Sequence, residues 1–240
     1  MFGLIVSDPS QDAARRKLAE ARLDALDLPL TGFTEEASPL FPPDMPCAAF
    51  LRTATAALLQ PGQPLPLTHL LTYLSTPDPL PANVLRRYLF LQLSLLPYLR
   101  PGRPVTMLDG CFLLGDDLLV VPVSADDTVD VTLPDGTWTE LNGSCHKGRL
   151  RSMRGFNEMP VLVRENVLLP IGVNDRSIHH DDADRLTLHW FQPGEAAECV
   201  LADGTGYRAL HRDGHFTVQT DTVKPFHLIV HQDGAEHLIR

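Results

Sequence analysis

The first hundred residues carry apolar side chains at the three-to-four spacing of helices that bury one face. This spacing predicts helices over residues 8–28, 47–59 and 83–98. Within the third segment, residues 89–96 are nearly all apolar, so we expect that helix to be buried on most sides. Its central stripe consists of Leu85, Leu89, Leu93 and Leu96.

After Pro101-Gly102 the pattern changes to short apolar runs, several of which alternate with polar residues. Alternation with period two is typical of strands that have one buried face. Turn pairs such as Asp203-Gly204 and Asp213-Gly214 separate several of the runs. The predicted strands cover residues 112–123 (broken at 115–117), 128–133, 137–141, 160–164, 167–170, 186–191, 198–201, 215–220 and 226–231.

These patterns predict an α+β fold with three parts. Residues 1–107 form a helical, loop-rich part, because prolines concentrated between residues 29 and 81 permit only short helices separated by turns. Residues 108–172 and 173–240 are predicted to form two small antiparallel β-sandwich domains.

Charge and composition narrow the range of partners. The net charge of −10 disfavours nucleic acid and anionic membranes, both of which require a basic surface. No apolar stretch approaches the roughly 20 residues of a membrane span, and the first residues lack the features of a signal peptide. Four cysteines without a CxxC pair are typical of reduced thiols, so we expect a cytoplasmic protein with no metal site and no cofactor.

Several segments resemble the C-terminal part of glycoside hydrolase family 31, the α-glucosidase family. FLLGDDLLVVPV (112–123), VTLPDGTWTEL (131–141) and MPVLVRENVLLPIG (159–172) are similar, in this order, to the family's proximal β-sandwich. RRYLFLQLSLLPYL (86–99) resembles the helix that precedes this sandwich. The segment 186–216, with the turn Asp203-Gly204-Thr205-Gly206-Tyr207, is similar to the family's distal C-terminal domain.

The resemblance implies that residues 1–107 are the helical remnant of a (β/α)8 barrel. It also implies α-glycosidase chemistry, which uses two carboxyl groups roughly 5 Å apart, one as nucleophile and one as acid/base. In the family the nucleophile lies upstream of the acid/base, so we expect the nucleophile strand to precede Met1.

Two residues correspond to family site positions. Asp8 is the candidate for the acid/base, and the alternative is that it caps the helix that begins at Pro9. His69 falls where the family has a sugar-binding histidine, and the alternative is an ordinary loop histidine.

Other candidate residues have competing interpretations. His179, His180, Asp181 and Asp182 could ligate a metal, but adjacent residues of an extended segment point in opposite directions, which favours a solvated linker. The aromatic residues Trp138, Trp190 and Tyr207 could stack on sugars or pack in the core. Asp116-Asp117 corresponds to a structural turn in the family.

Three functional hypotheses remain open. The first is a truncated, non-catalytic pseudoenzyme with a structural or carbohydrate-binding role towards α-linked sugars. The second is one subunit of a split α-glucosidase, whose barrel is completed by a chain encoded upstream. The third is a dimerisation module, because apolar surface left by a missing barrel half would have to be covered, for example in a homo-oligomer.

Overall fold

The structure is a computed structural model. It describes residues 33–34, 45–60, 65–66, 80–155, 158–172 and 185–239. The predicted helix over residues 8–28 lies outside this part of the chain, as do Asp8 and His69. What is described consists mostly of β-strands with few helices.

In the described residues, three helices precede the β-rich part. Helix α1 spans Cys47–Leu59, α2 spans Leu80–Ser94 and α3 spans Leu96–Leu99. The prediction for α1 is confirmed, whereas the single helix predicted over 83–98 is interrupted at Leu95. Pro97 accounts for the interruption, because proline has no N–H for an intrahelical bond and its ring clashes with the preceding turn.

The strands are numbered in chain order. Two short strands, β1 (Phe33–Thr34) and β2 (Leu65–Pro66), pair in parallel. The strands of the first β unit are β3 (Val105–Leu108), β4 (Cys111–Leu114), β5 (Leu118–Val120), β6 (Thr128–Thr132), β7 (Trp138–Glu140), β8 (Cys145–His146), β9 (Arg149–Met153) and β10 (Val161–Arg164). The remaining strands are β11 (Val167–Ile171), β12 (Leu186–Phe191), β13 (Ala196–Val200), β14 (Gly206–Arg212), β15 (His215–Thr220), β16 (Phe226–Gln232) and β17 (Ala235–Ile239).

The first β unit contains a six-stranded antiparallel sheet in the order β3-β4-β5-β10-β7-β8 and the antiparallel pair β6-β9. One hydrophobic core joins this unit to the helices, and it contains Leu85 and Leu89 from α2 together with Phe112 and Trp138. The hydroxyl of Tyr88 in α2 also accepts a hydrogen bond from the backbone N–H of Met159 at 2.8 Å. The expected burial of Leu85, Leu89 and Leu93 is confirmed, while Leu96 is only partly buried.

The second β unit contains a four-stranded sheet, β11-β12-β16-β17, and a three-stranded sheet, β13-β14-β15. The expectation of purely antiparallel sheets is wrong at one place, since β12 and β16 run parallel. Parallel neighbours need a long connection, and here the whole sheet β13-β14-β15 lies between them along the chain. Strand β11 lies before the predicted boundary at residue 172, yet it pairs with β12.

Successive residues of β12 point to opposite faces of the four-stranded sheet. Phe191 belongs to the core shared with the helices, whereas Leu188 and Trp190 belong to the core formed with β13-β14-β15. The four-stranded sheet therefore contributes to both cores.

Candidate functional site

The residues proposed as acid/base and sugar ligand, Asp8 and His69, lie outside the described residues and remain predictions. Residues 179–182, which the sequence suggests as a possible metal site, also lie outside the described residues. Within the ranges that the structure describes, no group of three or more His, Cys, Asp or Glu side chains is arranged to hold a metal ion. No helix in these ranges is long and apolar enough to cross a membrane.

A polar cleft lies where the two β units meet. It has a volume of about 610 Å³, and it opens between the β7–β8 turn and the β16–β17 turn. Its lining residues are Thr137, Asn142, Gly143, Ser144, Cys145, Lys147, Gln192, Asp233 and Gly234.

Gln192 connects the two turns that border this polar cleft. Its Nε2 donates a hydrogen bond to the Cys145 Sγ at 3.0 Å, and its Oε1 accepts one from the Asp233 N–H at 3.4 Å. Its backbone has a φ of 41° and its own N–H donates to the His231 carbonyl at 2.8 Å. Gln192, the residue after β12, is thus held in the cleft by its hydrogen bonds to Cys145 and Asp233.

The polar cleft offers amide, hydroxyl, ammonium and carboxylate groups, which together can hydrogen-bond a polyhydroxylated ligand. None of the described lining residues is aromatic, so the cleft lacks the ring on which a sugar face could stack. Its chemistry suits hydrogen bonding, and no pair of its side chains forms a nucleophile with an adjacent base.

A second site surrounds Glu140 on β7, the one buried carboxylate among the described residues. Its Oε1 accepts hydrogen bonds from the Arg154 Nη2 at 2.7 Å and from the His146 Nε2 at 2.7 Å. The Asn142 Nδ2 donates to its Oε2 at 3.3 Å. A buried carboxylate is tolerated only when it is paired in this way.

A smaller cleft, of about 200 Å³, lies between α2 and the six-stranded sheet beside Glu140. Arg87, Tyr88 and Glu158 also line it. Because Glu140 is bound by side chains of its own β unit, this arrangement stabilises the β7–β8 hairpin and the segment after β9.

Asp117 has a structural role. The Tyr98 hydroxyl donates to the Leu114 carbonyl at 2.7 Å and lies 3.2 Å from the Asp117 Oδ2. Burial raises the pKa of Tyr98, and the nearby carboxylate of Asp117 raises it further. A Cβ at Gly115 would lie 2.6 Å from this hydroxyl, and Gly115 also has a φ of +60°, so the turn requires glycine.

The three aromatic residues considered for sugar stacking are core residues. Trp138, Trp190 and Tyr207 are fully or almost fully buried. The Trp138 indole N–H donates to the Pro134 carbonyl at 2.8 Å, and the Trp190 indole N–H donates to the Asn166 side chain at 3.1 Å. The core interpretation is therefore confirmed for these rings.

A histidine pair on the four-stranded sheet was missed by the sequence analysis. The His189 Nδ1 and His231 Nε2 share a hydrogen bond of 2.8 Å, and Phe191 stacks on His231 with the ring centres 4.2 Å apart. Burial, together with the neighbouring His231, lowers the pKa of His189 to about 4. The pKa of His231 is also lowered by burial, against the opposing effect of Glu236.

Comparison with known families gives one match. Residues 96–169, from α3 to β11, match the family model described as the glycosyl hydrolase family 31 C-terminal domain. These are the residues that form most of the six-stranded sheet and its core with the helices.

Solved structures of low sequence identity share the fold. A glycoside hydrolase family 31 dextranase from Flavobacterium johnsoniae, complexed with glucose, has 19% identity and a TM-score of 0.62 over 77% of this chain and 29% of its own. A cycloalternan-forming enzyme from Listeria monocytogenes, in complex with a pentasaccharide substrate, has 17% identity and a TM-score of 0.64 over 79% of this chain and 23% of its own. A family 31 α-xylosidase from Xanthomonas citri has 14% identity and a TM-score of 0.61 over 81% of this chain and 28% of its own.

The chain thus spans about a quarter of the length of these solved structures. The family match and the shared fold agree with the motifs of residues 86–172. The chain resembles the C-terminal part of glycoside hydrolase family 31 proteins.

Proposed function

We propose that this chain is non-catalytic on its own and serves as the structural C-terminal part of a family 31-like protein. The observation that supports this most is the shared core: the buried leucines of α2 belong to the same hydrophobic core as the sheet that matches the family's C-terminal domain. Such a core can hold barrel-derived helices in a fixed position on a β-sandwich. Retaining glycosidase chemistry needs two carboxyl groups about 5 Å apart, and Glu140, the buried carboxylate of the described part, is bound by Arg154 and His146.

The test is an assay of the purified chain with an aryl α-glucoside. We expect no turnover above that of buffer, because a single candidate carboxylate at Asp8 cannot supply both nucleophile and acid/base. Turnover that is lost in Asp8→Asn would overturn the proposal and identify Asp8 as a catalytic group. Turnover that survives in Asp8→Asn but is lost in Glu140→Gln would instead place catalysis at β7.

Carbohydrate binding is a second candidate function, and the polar cleft is the observation that favours it. Titration of the chain with glucose and with isomaltotriose, followed by NMR, would show shifts at Gln192 and Lys147 if the cleft binds α-linked sugars. Lys147→Ala should weaken such binding, whereas Arg212→Ala, at an exposed position outside the cleft, should leave it unchanged. Absence of binding at millimolar sugar leaves the structural role alone.

The split-enzyme hypothesis makes a different prediction. The coding sequence immediately upstream of Met1 would encode the missing barrel strands, and co-expression of the two chains would yield α-glucosidase activity that neither has alone. We also propose a cytoplasmic location, for which four free cysteines, one of them exposed, are typical.

A further inference from the structure

The smaller cleft, of about 200 Å³, lies between α2 and the six-stranded sheet and is lined by both buried and exposed side chains. Helix α2 forms one wall, and the β7–β8 turn and the segment that leads into β10 form the other. The buried lining residues are Tyr88, Glu140, Met159, Pro160 and Val161. The exposed lining residues are Arg87, Asn142 and Glu158. The cleft thus reaches from solvent to residues of the first hydrophobic core.

Glu140 is the buried carboxylate of this lining, and its two oxygens are used unequally. Its side chain is only 5% exposed. Oε1 accepts two short hydrogen bonds of 2.7 Å, one from Arg154 and one from His146. Oε2 accepts one longer bond of 3.3 Å from the Asn142 side chain, which also lines the cleft. Because an ionised carboxylate has about four lone-pair sites, Oε2 can accept a further hydrogen bond from a ligand.

Arg154 supplies donors next to this acceptor. Its Nη2 is bound to Glu140, and its Nε donates to the Ser152 hydroxyl at 2.8 Å. Its Nη1 has no partner among the described residues, and its side chain is 21% exposed. A guanidinium has five N–H donors, so those of Nη1 remain for a ligand. The cleft therefore offers both an acceptor and donors from the same ion pair.

The formal charges of the lining cancel. Arg87 and Arg154 are cations, and Glu140 and Glu158 are carboxylates. A ligand with a net charge gains no net attraction, because each charge that it approaches has an opposite charge in the same lining. A hydroxyl group donates and accepts a hydrogen bond at once, which suits the carboxylate and guanidinium of one ion pair. The chemistry of the cleft thus favours a neutral molecule with several hydroxyl groups.

The volume of the cleft limits the ligand to a small molecule. About 200 Å³ corresponds to roughly six or seven water molecules at ~30 Å³ each. It lies below the roughly 300–1,000 Å³ of pockets that enclose drug-sized ligands. One sugar ring or a shorter polyol is of this size, whereas an oligosaccharide is too large.

We propose that the smaller cleft binds one small, neutral, polyhydroxylated molecule, a monosaccharide or a polyol, through Glu140 and Arg154. One ligand hydroxyl would donate to the Glu140 Oε2 and accept from the Arg154 Nη1. The ligand would also connect α2 to the β7–β8 turn, because both line the cleft. Few atoms take part, so we expect a Kd of about millimolar. The polar cleft lined by Gln192 and Lys147 is a different site, so the proposal does not rest on the proposed function.

The first experiment is a titration of the full chain with D-glucose and with glycerol, up to about 100 mM, followed by NMR. We expect shifts at the Arg154 side-chain N–H groups and at the methyl groups of Leu91 and Val161, which line the cleft. Sodium acetate and ammonium chloride are the charged probes, and neither should shift these groups. Shifts at these three residues would support the proposal even if the polar cleft binds no sugar. Shifts confined to Gln192 and Lys147, no shifts at all, or equal shifts with the charged probes would overturn it.

The second experiment tests the two binding groups by measuring the Kd for glucose in variants. Glu140→Gln keeps the shape of the side chain but removes its charge, so it should weaken binding at least about tenfold. Arg154→Lys is the second variant, in case Glu140→Gln does not fold: it keeps a cation beside Glu140 but loses the Nη1 donors, and it should weaken binding several-fold.

Arg149→Lys is the matched control for Arg154→Lys. Arg149 pairs with Asp130 on the β6–β9 ribbon and does not line the cleft, so this variant should leave the Kd unchanged. An Arg154→Lys chain that binds glucose as tightly as the parent chain would overturn the proposal. An equal loss of affinity in Arg149→Lys would overturn it as well.

Discussion

The two hydrophobic cores formed by the described residues are built in different ways. The first joins helices α1 and α2 to the six-stranded sheet and contains Trp138, whereas the second lies between two sheets and contains Trp190. They meet in the four-stranded sheet, where Phe191 points into the first core and its neighbour Trp190 into the second. We infer from this difference that the stability of the second β unit depends on the first unit, because the first core covers one face of the four-stranded sheet.

The chain's two tryptophans therefore report on the two cores separately. Leu89→Asp places a charge in the fully buried stripe of α2, so we expect it to unfold the chain. Because the cores share a sheet, both Trp138 and Trp190 should become exposed together, as measured by fluorescence in Trp138→Phe and Trp190→Phe backgrounds.

Asn83→Asp is the control for that change. It adds the same charge to the same helix at an exposed position near the helix N-terminus, where a carboxylate is favourable. If Leu89→Asp exposes Trp138 while Trp190 keeps a cooperative transition, the second β unit folds independently and the comparison fails.

Phe191 is a residue of β12, in the second β unit, whose side chain lies in the first core. Phe191→Ala should lower the free energy of unfolding by about 3–5 kcal/mol and separate the denaturation midpoints reported by the two tryptophans. Phe216→Ala removes a ring that packs edge-on against Trp190, with ring centres 5.8 Å apart, from the other side of β12. That variant should shift the Trp190 midpoint more than the Trp138 midpoint, and identical shifts from both variants would contradict the assignment.

The elements that the sequence could predict are those with a clear local pattern of apolar and polar residues. Helix α1 and strands β12 and β15 have clear periodicity, and their bounds agree with the prediction. Strands β9 and β17 were missed because arginine, serine, glutamate and histidine obscure any alternation in them. Pairing between distant strands, such as β12 with β16, leaves no local pattern because it is set by the packing of both cores.

Among the candidate sites, too, only the features set by a local motif could be predicted. The structural role of the Asp116-Asp117 turn and the burial of Trp138 could be predicted from local motifs. The contact between His189 and His231 could not, since it depends on the parallel register that places Phe191 opposite His231. Glu140 follows Trp138 in a strand whose residues are all buried, so alternation gave no sign of its position.

The histidine pair on the four-stranded sheet predicts that the free energy of unfolding depends on pH. The pKa of His189 in the folded chain is about 4, below the 6.5 of an unperturbed histidine, so the unfolded chain binds more protons between these values. The free energy of unfolding should therefore fall as pH is lowered from about 6.5 to 4, by up to about 3 kcal/mol from this residue. Glu236, which faces His231 from β17, opposes part of the effect.

Urea denaturation at several pH values measures this change. His189→Gln keeps a donor and an acceptor but does not titrate, and it should flatten the profile between pH 4 and 6.5. His215→Gln, at an exposed position on β15, should leave the profile as it is. A profile that is equally steep in His189→Gln would assign the acid sensitivity to other groups.

The smallest expected effect concerns Asn166, at the turn where the first β unit passes into β11. Its Oδ1 accepts hydrogen bonds from the Trp190 indole at 3.1 Å and the Gly194 N–H at 2.8 Å, and its Nδ2 donates to the Ala196 carbonyl at 2.9 Å. Its φ of 59° is a conformation that asparagine and aspartate tolerate better than other side chains. One residue of the first unit thus anchors the start of the second.

Asn166→Asp keeps the two accepted bonds and the backbone conformation but loses the donated bond to Ala196. It should lower the free energy of unfolding by about 1 kcal/mol, whereas Asn166→Ala, which also leaves the buried Trp190 N–H without its partner, should cost about 2 kcal/mol. Thermal unfolding followed through Trp190 measures both. Because these bonds tie the two units together, each variant should move the Trp190 midpoint at least as far as the Trp138 midpoint. A loss seen only at Trp138 would mean that the turn stabilises the first unit alone, and that the shared sheet couples the cores through Phe191 without help from this anchor.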